Sequence, residues 1–138
     1  ERKRQADVFL LVGPQGAGKT TWAIAFLQHH PDVIVFDAIL VKSSEREPLL
    51  RVCREHEARV FSVVFETPID ECISRNAARL PDEIVAEQAI RNVHAAMEKP
   101  TMDEGFDAMY IAVPEGNYRS DPCQNEVRRI APSLTNPP

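Results

Sequence analysis

The chain has 138 residues, 43% of them apolar, and a net charge of −5 from 21 acidic and 16 basic side chains. That is the size of one globular domain with a core of its own. The charge balance excludes a broad electrostatic grip on nucleic acid, though not a local basic groove, and no apolar run approaches the roughly 18–20 residues of a membrane-spanning helix.

Residues 1–7 are polar and read as a lead-in; the ERKR run at their start is too short for a nucleic-acid patch. Residues 8–12 are continuously apolar, as in a strand buried on both faces. A glycine-rich loop follows, and residues 19–30 form a helix with Trp22, Ala23, Phe26 and Leu27 as its apolar stripe, ended by Pro31. Residues 33–36 make a second short strand, closed by Asp37. Ser43 or Ser44 caps a helix over 45–56, with Glu47 in the capping-box position relative to Ser44. A third strand covers 59–66. Thr67-Pro68 leads into a helix over 69–80, Pro81 interrupts, and a further helix covers 82–97. Residues 108–113 are the fourth strand, and the proline-rich residues 114–138 read as an extended tail. Strands alternating with helices predict a three-layer α/β fold with a mostly parallel sheet, its domain spanning 8–113.

Gly13, Pro14, Gln15, Gly16, Ala17, Gly18, Lys19 and Thr20 match G-x-x-x-x-G-K-[ST] at every position, and Thr21 continues the run into the helix. Glycines let successive N–H groups converge on one centre, and the helix adds its unpaired N–H groups and positive dipole end. Lys19 can reach the β- and γ-phosphates, and the Thr20 hydroxyl can ligate Mg²⁺. The loop predicts a nucleoside triphosphate, ATP, with Mg²⁺. A GTP switch would carry a base-reading Asn/Thr-Lys-x-Asp stretch, and none is present. A motor ATPase would place a second acid after Asp37, where Ala38 stands.

Arg75 and Arg79 are four apart in ECISRNAARLPDEIV, so a helix puts them on one face. Two readings remain open: a cationic lid over the triphosphate, or a solvated pair bridged to Glu71 or Glu83. Trp22 and Phe26 read as core, although Trp22 could border the nucleotide base. Tyr110 packs in its strand. His29 and His30 read as a surface pair at a helix end, and His56 and His94 have no partner at ligand spacing. Cys53, Cys72 and Cys123 share no metal or disulfide spacing. This points to a reducing compartment, cytoplasmic or nuclear, with Cys53 and Cys72 as small core hydrophobes. Glu1 is not a natural first residue, so the chain reads as a fragment that neighbouring domains can flank.

GPQGAGKTT, VIVFD, FETPIDECISRNAAR, LPDEIV and the EGFD stretch resemble the P-loop kinases that include phage-type polynucleotide 5'-kinases. Zeta-toxin kinases and hnRNP U-type kinase-like domains are looser relatives. The resemblance implies phosphate and Mg²⁺ roles for Lys19 and Thr20, a donor-phosphate contact for Arg79 with Arg75 as its partner, and a strand-closing acid in Asp37. It implies an RNA or DNA 5'-end as acceptor. It also implies several tens of residues after the first helix, with a strand and a catalytic aspartate in S-x-D-x-x-R. Here Pro31 and Asp32 alone separate the helix from the next strand, so that acceptor strand and lid segment are lacking, either lost from the protein or, the favoured reading, left out of this sequence. The implied activity is γ-phosphoryl transfer to a polynucleotide 5'-hydroxyl. The alternatives are a small-molecule kinase of the same fold and a non-catalytic nucleotide-binding, RNA-associated domain.

Overall fold

A computed structural model describes residues 6–113, 127–130 and 132. Five strands form one parallel sheet: β1 (Asp7–Val12), β2 (Ile34–Asp37), β3 (Arg59–Val64), β4 (Ala108–Ala112) and β5 (Val127–Ile130), in the order β2-β1-β3-β4-β5. Parallel neighbours need crossovers, and the helices supply them. Helix α1 (Lys19–His29) joins β1 to β2, and α2 (Ser43–Glu55) joins β2 to β3. Helices α3 (Ile69–Ala77) and α4 (Glu87–Ala96) join β3 to β4.

Strand alternation sorts the core into two layers. Phe9, Leu11, Phe61, Val63 and Tyr110 face Trp22 and Phe26 of α1, Cys72 of α3 and Ile90 of α4. Val8, Leu10, Val12, Val60 and Met109 face Leu50 and Cys53 of α2. The three-layer parallel α/β fold is therefore as expected, and Cys53 and Cys72 are buried free thiols that burial pushes above their ordinary pKa. Among the described residues no helix is long and apolar enough to cross a membrane.

Several expected boundaries differ. The helix over 69–80 ends at Ala77, and the helix over 82–97 is a 3-10 turn at Pro81–Glu83 followed by α4 from Glu87. Val85 is held in extended backbone by hydrogen bonds to the Asn76 side chain, which keeps the helix from starting earlier. Helix α2 starts at Ser43, and Glu45, not Glu47, makes the capping contact by accepting the Lys42 N–H at 3.0 Å. Glu47 pairs with Arg51 along the helix instead. Leu27, expected in the apolar stripe of α1, is 37% exposed. A fifth strand, β5, lies within the stretch read as tail. Cys123, Tyr118 and Arg119 lie outside the described residues.

The chain turns directly from α1 into β2, with the Val33 N–H facing the His30 carbonyl at 3.5 Å. Strand β2 is the sheet's edge, and its Ile34 and Phe36 are exposed. On the opposite side, the EGFD stretch closes the fold. Glu104 takes two hydrogen bonds from the fully buried Arg46, at 2.8 and 3.0 Å, Phe106 enters the core, and Asp107 accepts the Val60 N–H. Arg46 also donates to the Leu40 carbonyl at 3.0 Å, which ties down the segment after Asp37. Arg46→Met is expected to destabilise the chain by about 3–5 kcal/mol, because it strands the Glu104 carboxylate in a site that is mostly closed to water. Arg46→Met/Glu104→Gln should recover much of that loss in urea unfolding. A double variant no more stable than the single would show that Arg46 acts by packing alone.

Candidate nucleotide-binding site

Strand order reverses direction at β1, whose neighbours β2 and β3 lead away to opposite edges. Open parallel sheets bind ligands at the carboxyl ends of strands at such a switch point. The glycine-rich loop leaves β1 there. Gly16 (φ 80°) and Gly18 (φ 97°) adopt left-handed backbone, which lets the loop close and α1 begin at Lys19. Thr67, just past β3, donates its hydroxyl to the Ala17 carbonyl at 2.8 Å and fixes the loop from below.

The register that pairs Leu11 with Asp37 brings Asp37 beside the start of α1. Thr20 Oγ1 donates to Asp37 Oδ2 at 2.8 Å, and Lys19 Nζ lies 3.9 Å from Asp37 Oδ1. Lys19 folds back over the loop and donates to the Gly13 carbonyl at 2.7 Å. From the other side α3 presents Arg75, and the loop after it presents Arg79. Arg75 is bridged to Glu71 at 2.8 Å and reaches the Gly16 carbonyl at 3.4 Å, while Arg79 donates to the Glu83 carbonyl at 3.3 Å. Of the expected bridges, the one from Arg75 to Glu71 forms, while Arg79 meets the Glu83 main chain and not its carboxylate.

These groups line one cleft of about 330 Å³, to which Gln15, Gly16, Gly18, Lys19, Thr20, Thr21, Asp37, Arg75 and Arg79 all contribute. Gly13 and Pro14 stand behind it, Gly13 through its bond to Lys19. Ala17 lines a second cavity of about 500 Å³ on the far side of the loop, with Trp22, Phe65 and Val113. Gly18, Thr21 and Arg75 border both. Trp22 is a core residue, stacked on Phe26 at 4.7 Å, and also a wall of this cavity. Sequence reasoning missed Ala38 and Ile39 in the first cleft and Thr67 beneath the loop. Thr67's place directly after a buried strand was the available signal.

The sequence model of the AAA-domain family matches residues 25–100, more than half of the chain. The chain belongs to that family. The match begins within α1, downstream of the phosphate loop, so the loop is an independent sign of the same capacity to bind nucleotide. The AAA domain also shares its fold with a crystal structure of a fungal RNA kinase, with 14% sequence identity and a TM-score of 0.62. The alignment covers 90% of this chain and 41% of that one, so the AAA domain spans about two fifths of the kinase's length. Comparison with curated proteins finds no significant match.

Burial of the AAA domain's Lys19 pushes its pKa below the ordinary lysine value, opposed by Asp37 and Cys72 and reinforced by Arg79. The unfolded chain therefore holds this proton more tightly than the folded one. Between the folded and unfolded values, stability rises with pH; below the folded value the buried charge carries its full cost. A phosphate against Lys19 favours the charged form and raises its pKa again. Triphosphate binding is thus expected to take up protons on the alkaline side and to weaken as pH rises through the ligand-free value. Calorimetry in buffers of different ionisation enthalpy measures this uptake, and its absence would show that the ligand does not engage Lys19.

Among the described residues no three His, Cys, Asp or Glu side chains gather as a metal site.

Proposed function

We propose that the chain is an ATP-dependent kinase module that transfers the γ-phosphoryl group to the 5'-hydroxyl of a polynucleotide. The observation that carries this reading is the convergence of Arg75, from α3, and Arg79, from the loop after it, on the cleft that holds Lys19, Thr20 and Asp37. Cations on both sides of a triphosphate suit a transferred group whose charge is spread over its oxygens. The likeness to a structure described as a fungal RNA kinase supports a nucleic-acid acceptor, and the length covered leaves room for acceptor-binding parts elsewhere.

The loop N–H groups and Lys19 would hold the β- and γ-phosphates, and Arg79 would close over them. The second cavity would take the base, between Arg75 and the wall formed by Trp22 and Val113. Thr20 and Asp37 already meet at 2.8 Å, and a hydroxyl with a carboxylate is a hard-oxygen donor pair suited to Mg²⁺ completed by phosphate and water oxygens. When bound, Mg²⁺ would neutralise charge that develops on the phosphates. In the transfer, the acceptor oxygen forms a bond to γ-phosphorus, the bond to the β–γ bridging oxygen breaks, and ADP leaves. The hydroxyl proton goes to a base, and among the described residues Asp37 is the only carboxylate in the cleft lining.

That same count favours a second reading. Asp37 is engaged by Thr20, so among the described residues no lining carboxylate is left over to orient an acceptor, which suits a domain that binds nucleotide without transfer. γ-Labelled ATP offered with 5'-hydroxyl RNA and DNA oligonucleotides and a nucleoside pool separates the cases. Label on an oligonucleotide supports the first reading, and label on a nucleoside selects a small-molecule kinase. Saturable ATP binding with no labelled product selects the second reading.

A further inference from the structure

The segment that carries Arg79 has no core of its own. Every residue from 77 to 84 is exposed, including Leu80 at 65% and Ile84 at 46%, so hydrophobic burial does not hold it. Within the segment, the Arg79 N–H bonds the Asn76 carbonyl at 3.2 Å and the Glu83 N–H bonds the Leu80 carbonyl at 2.8 Å, while the Arg79 guanidinium donates to the Glu83 carbonyl at 3.3 Å. The first of these bonds ties Arg79 to the last turn of α3, but none of them ties the far end of the segment, residues 80–84, back to the domain.

One side chain does. Asn76 is 3% exposed, and both ends of its amide are spent on one residue: Nδ2 donates to the Val85 carbonyl at 2.7 Å, and Oδ1 accepts the Val85 N–H at 3.0 Å. The amide acts as a short rung of ladder, closing the chain into a loop from α3 back to Val85, which packs on the core. Asn76 follows Arg75, which lies on the phosphate loop, so the clamp has a fixed base.

We propose that Asn76 is a positioning residue that holds Arg79 over the phosphate cleft. The inference rests on the nucleotide reading of that cleft. A long side chain on an untethered loop must be ordered when ligand binds, and the clamp makes that ordering part of the fold. Removal of the amide frees the loop and leaves the Val85 N–H and carbonyl without these partners.

The expected results are these. Asn76→Ala speeds trypsin cleavage after Arg79 in the native chain by about tenfold or more. Asn76→Asp, which keeps the shape and the acceptor but loses the donor, does the same to a smaller degree and guards against poor folding of the alanine variant. ATP affinity falls about tenfold in Arg79→Ala, as for a lost hydrogen bond between charged groups, and about as much in Asn76→Ala. The Asn76→Ala/Arg79→Ala double variant binds ATP no more weakly than Arg79→Ala alone. A merely structural asparagine would give additive losses, and additivity overturns the inference, as does unchanged cleavage at Arg79. Wild-type protein that binds no ATP overturns the nucleotide reading and this inference with it. ATP binding indifferent to Asn76 overturns this inference alone.

Discussion

Lys19→Ala is expected to leave the chain folded and to remove its response to ATP. Two effects on stability oppose each other. The variant loses the 2.7 Å bond to the Gly13 carbonyl, and it also removes a cation that is 8% exposed and whose pKa burial has depressed. A net change within about 1 kcal/mol follows from a modest hydrogen bond set against a desolvated charge. The effect on ligand is large by contrast, because the ammonium lies on the loop itself, bonded to the Gly13 carbonyl. Loss of such a group from the transition state lowers turnover by about 10²–10³ or more. Thermal melting with and without ATP separates the two, since a ligand stabilises only the state it binds. The wild-type transition should rise with ATP while the variant's stays put. Undiminished γ-phosphoryl transfer by Lys19→Ala would sink the phosphate-loop mechanism.

What the sequence made legible is local. The loop is one contiguous run set between a both-faces-buried strand and a helix, so its partners follow from chain order. Arg75 lies in α3, but Arg79 lies past its end at Ala77, so the shared helix face that their spacing predicts does not form, and Arg79 comes to the cleft from the loop that follows. The contacts that make these residues a site are long-range: Thr67 bonds Ala17 across 50 residues, and Asp37 reaches Thr20 through sheet register. No periodicity predicts either. The helix expected over 82–97 failed for the same reason, since the Asn76 clamp on Val85 overrides local propensity. Strand β5 reads VRRI, with two arginines in four residues, and carries too little apolar signal to be found without its neighbour β4.

The kinase resemblance divides along the same line. Its donor-side residues all arrive at one cleft. EGFD, which looked diagnostic of a family, turns out to hold the fold: Glu104 against Arg46, Asp107 against the Val60 N–H. Where the resemblance implies an acceptor strand, the sheet ends at β2 with Ile34 and Phe36 in solvent. Asp32 precedes its strand and is absent from the cleft lining, so the acid that closes the strand is Asp37.

Gly16→Ala should do the most damage of any single methyl group added to the loop. Gly16 sits at φ 80°, where an L side chain is strained by about 1–3 kcal/mol before any neighbour is considered. A Cβ there would also overlap the Cys72 carbonyl oxygen and lie 3.0 Å from its carbon. The obstacle is α3 backbone, so no rotamer change relieves it. Either the loop opens or the first turns of α3 retreat, and α3 carries Arg75 and, beyond it, Arg79. The expected loss is about 3 kcal/mol or more, from strain and overpacking together, with a parallel fall in ATP affinity as the arginines withdraw. Gly13→Ala is the control. Gly13 has no left-handed backbone, and its Cβ would meet Phe65 Cβ at 3.1 Å and Ala17 Cβ at 3.4 Å, so a cost below about 1.5 kcal/mol is expected. Urea unfolding of the two variants tests the difference. Equal stabilities would mean that the loop and α3 do not meet at Gly16 as closely as the geometry requires, and the shared support of Lys19 and Arg75 would fall with that contact.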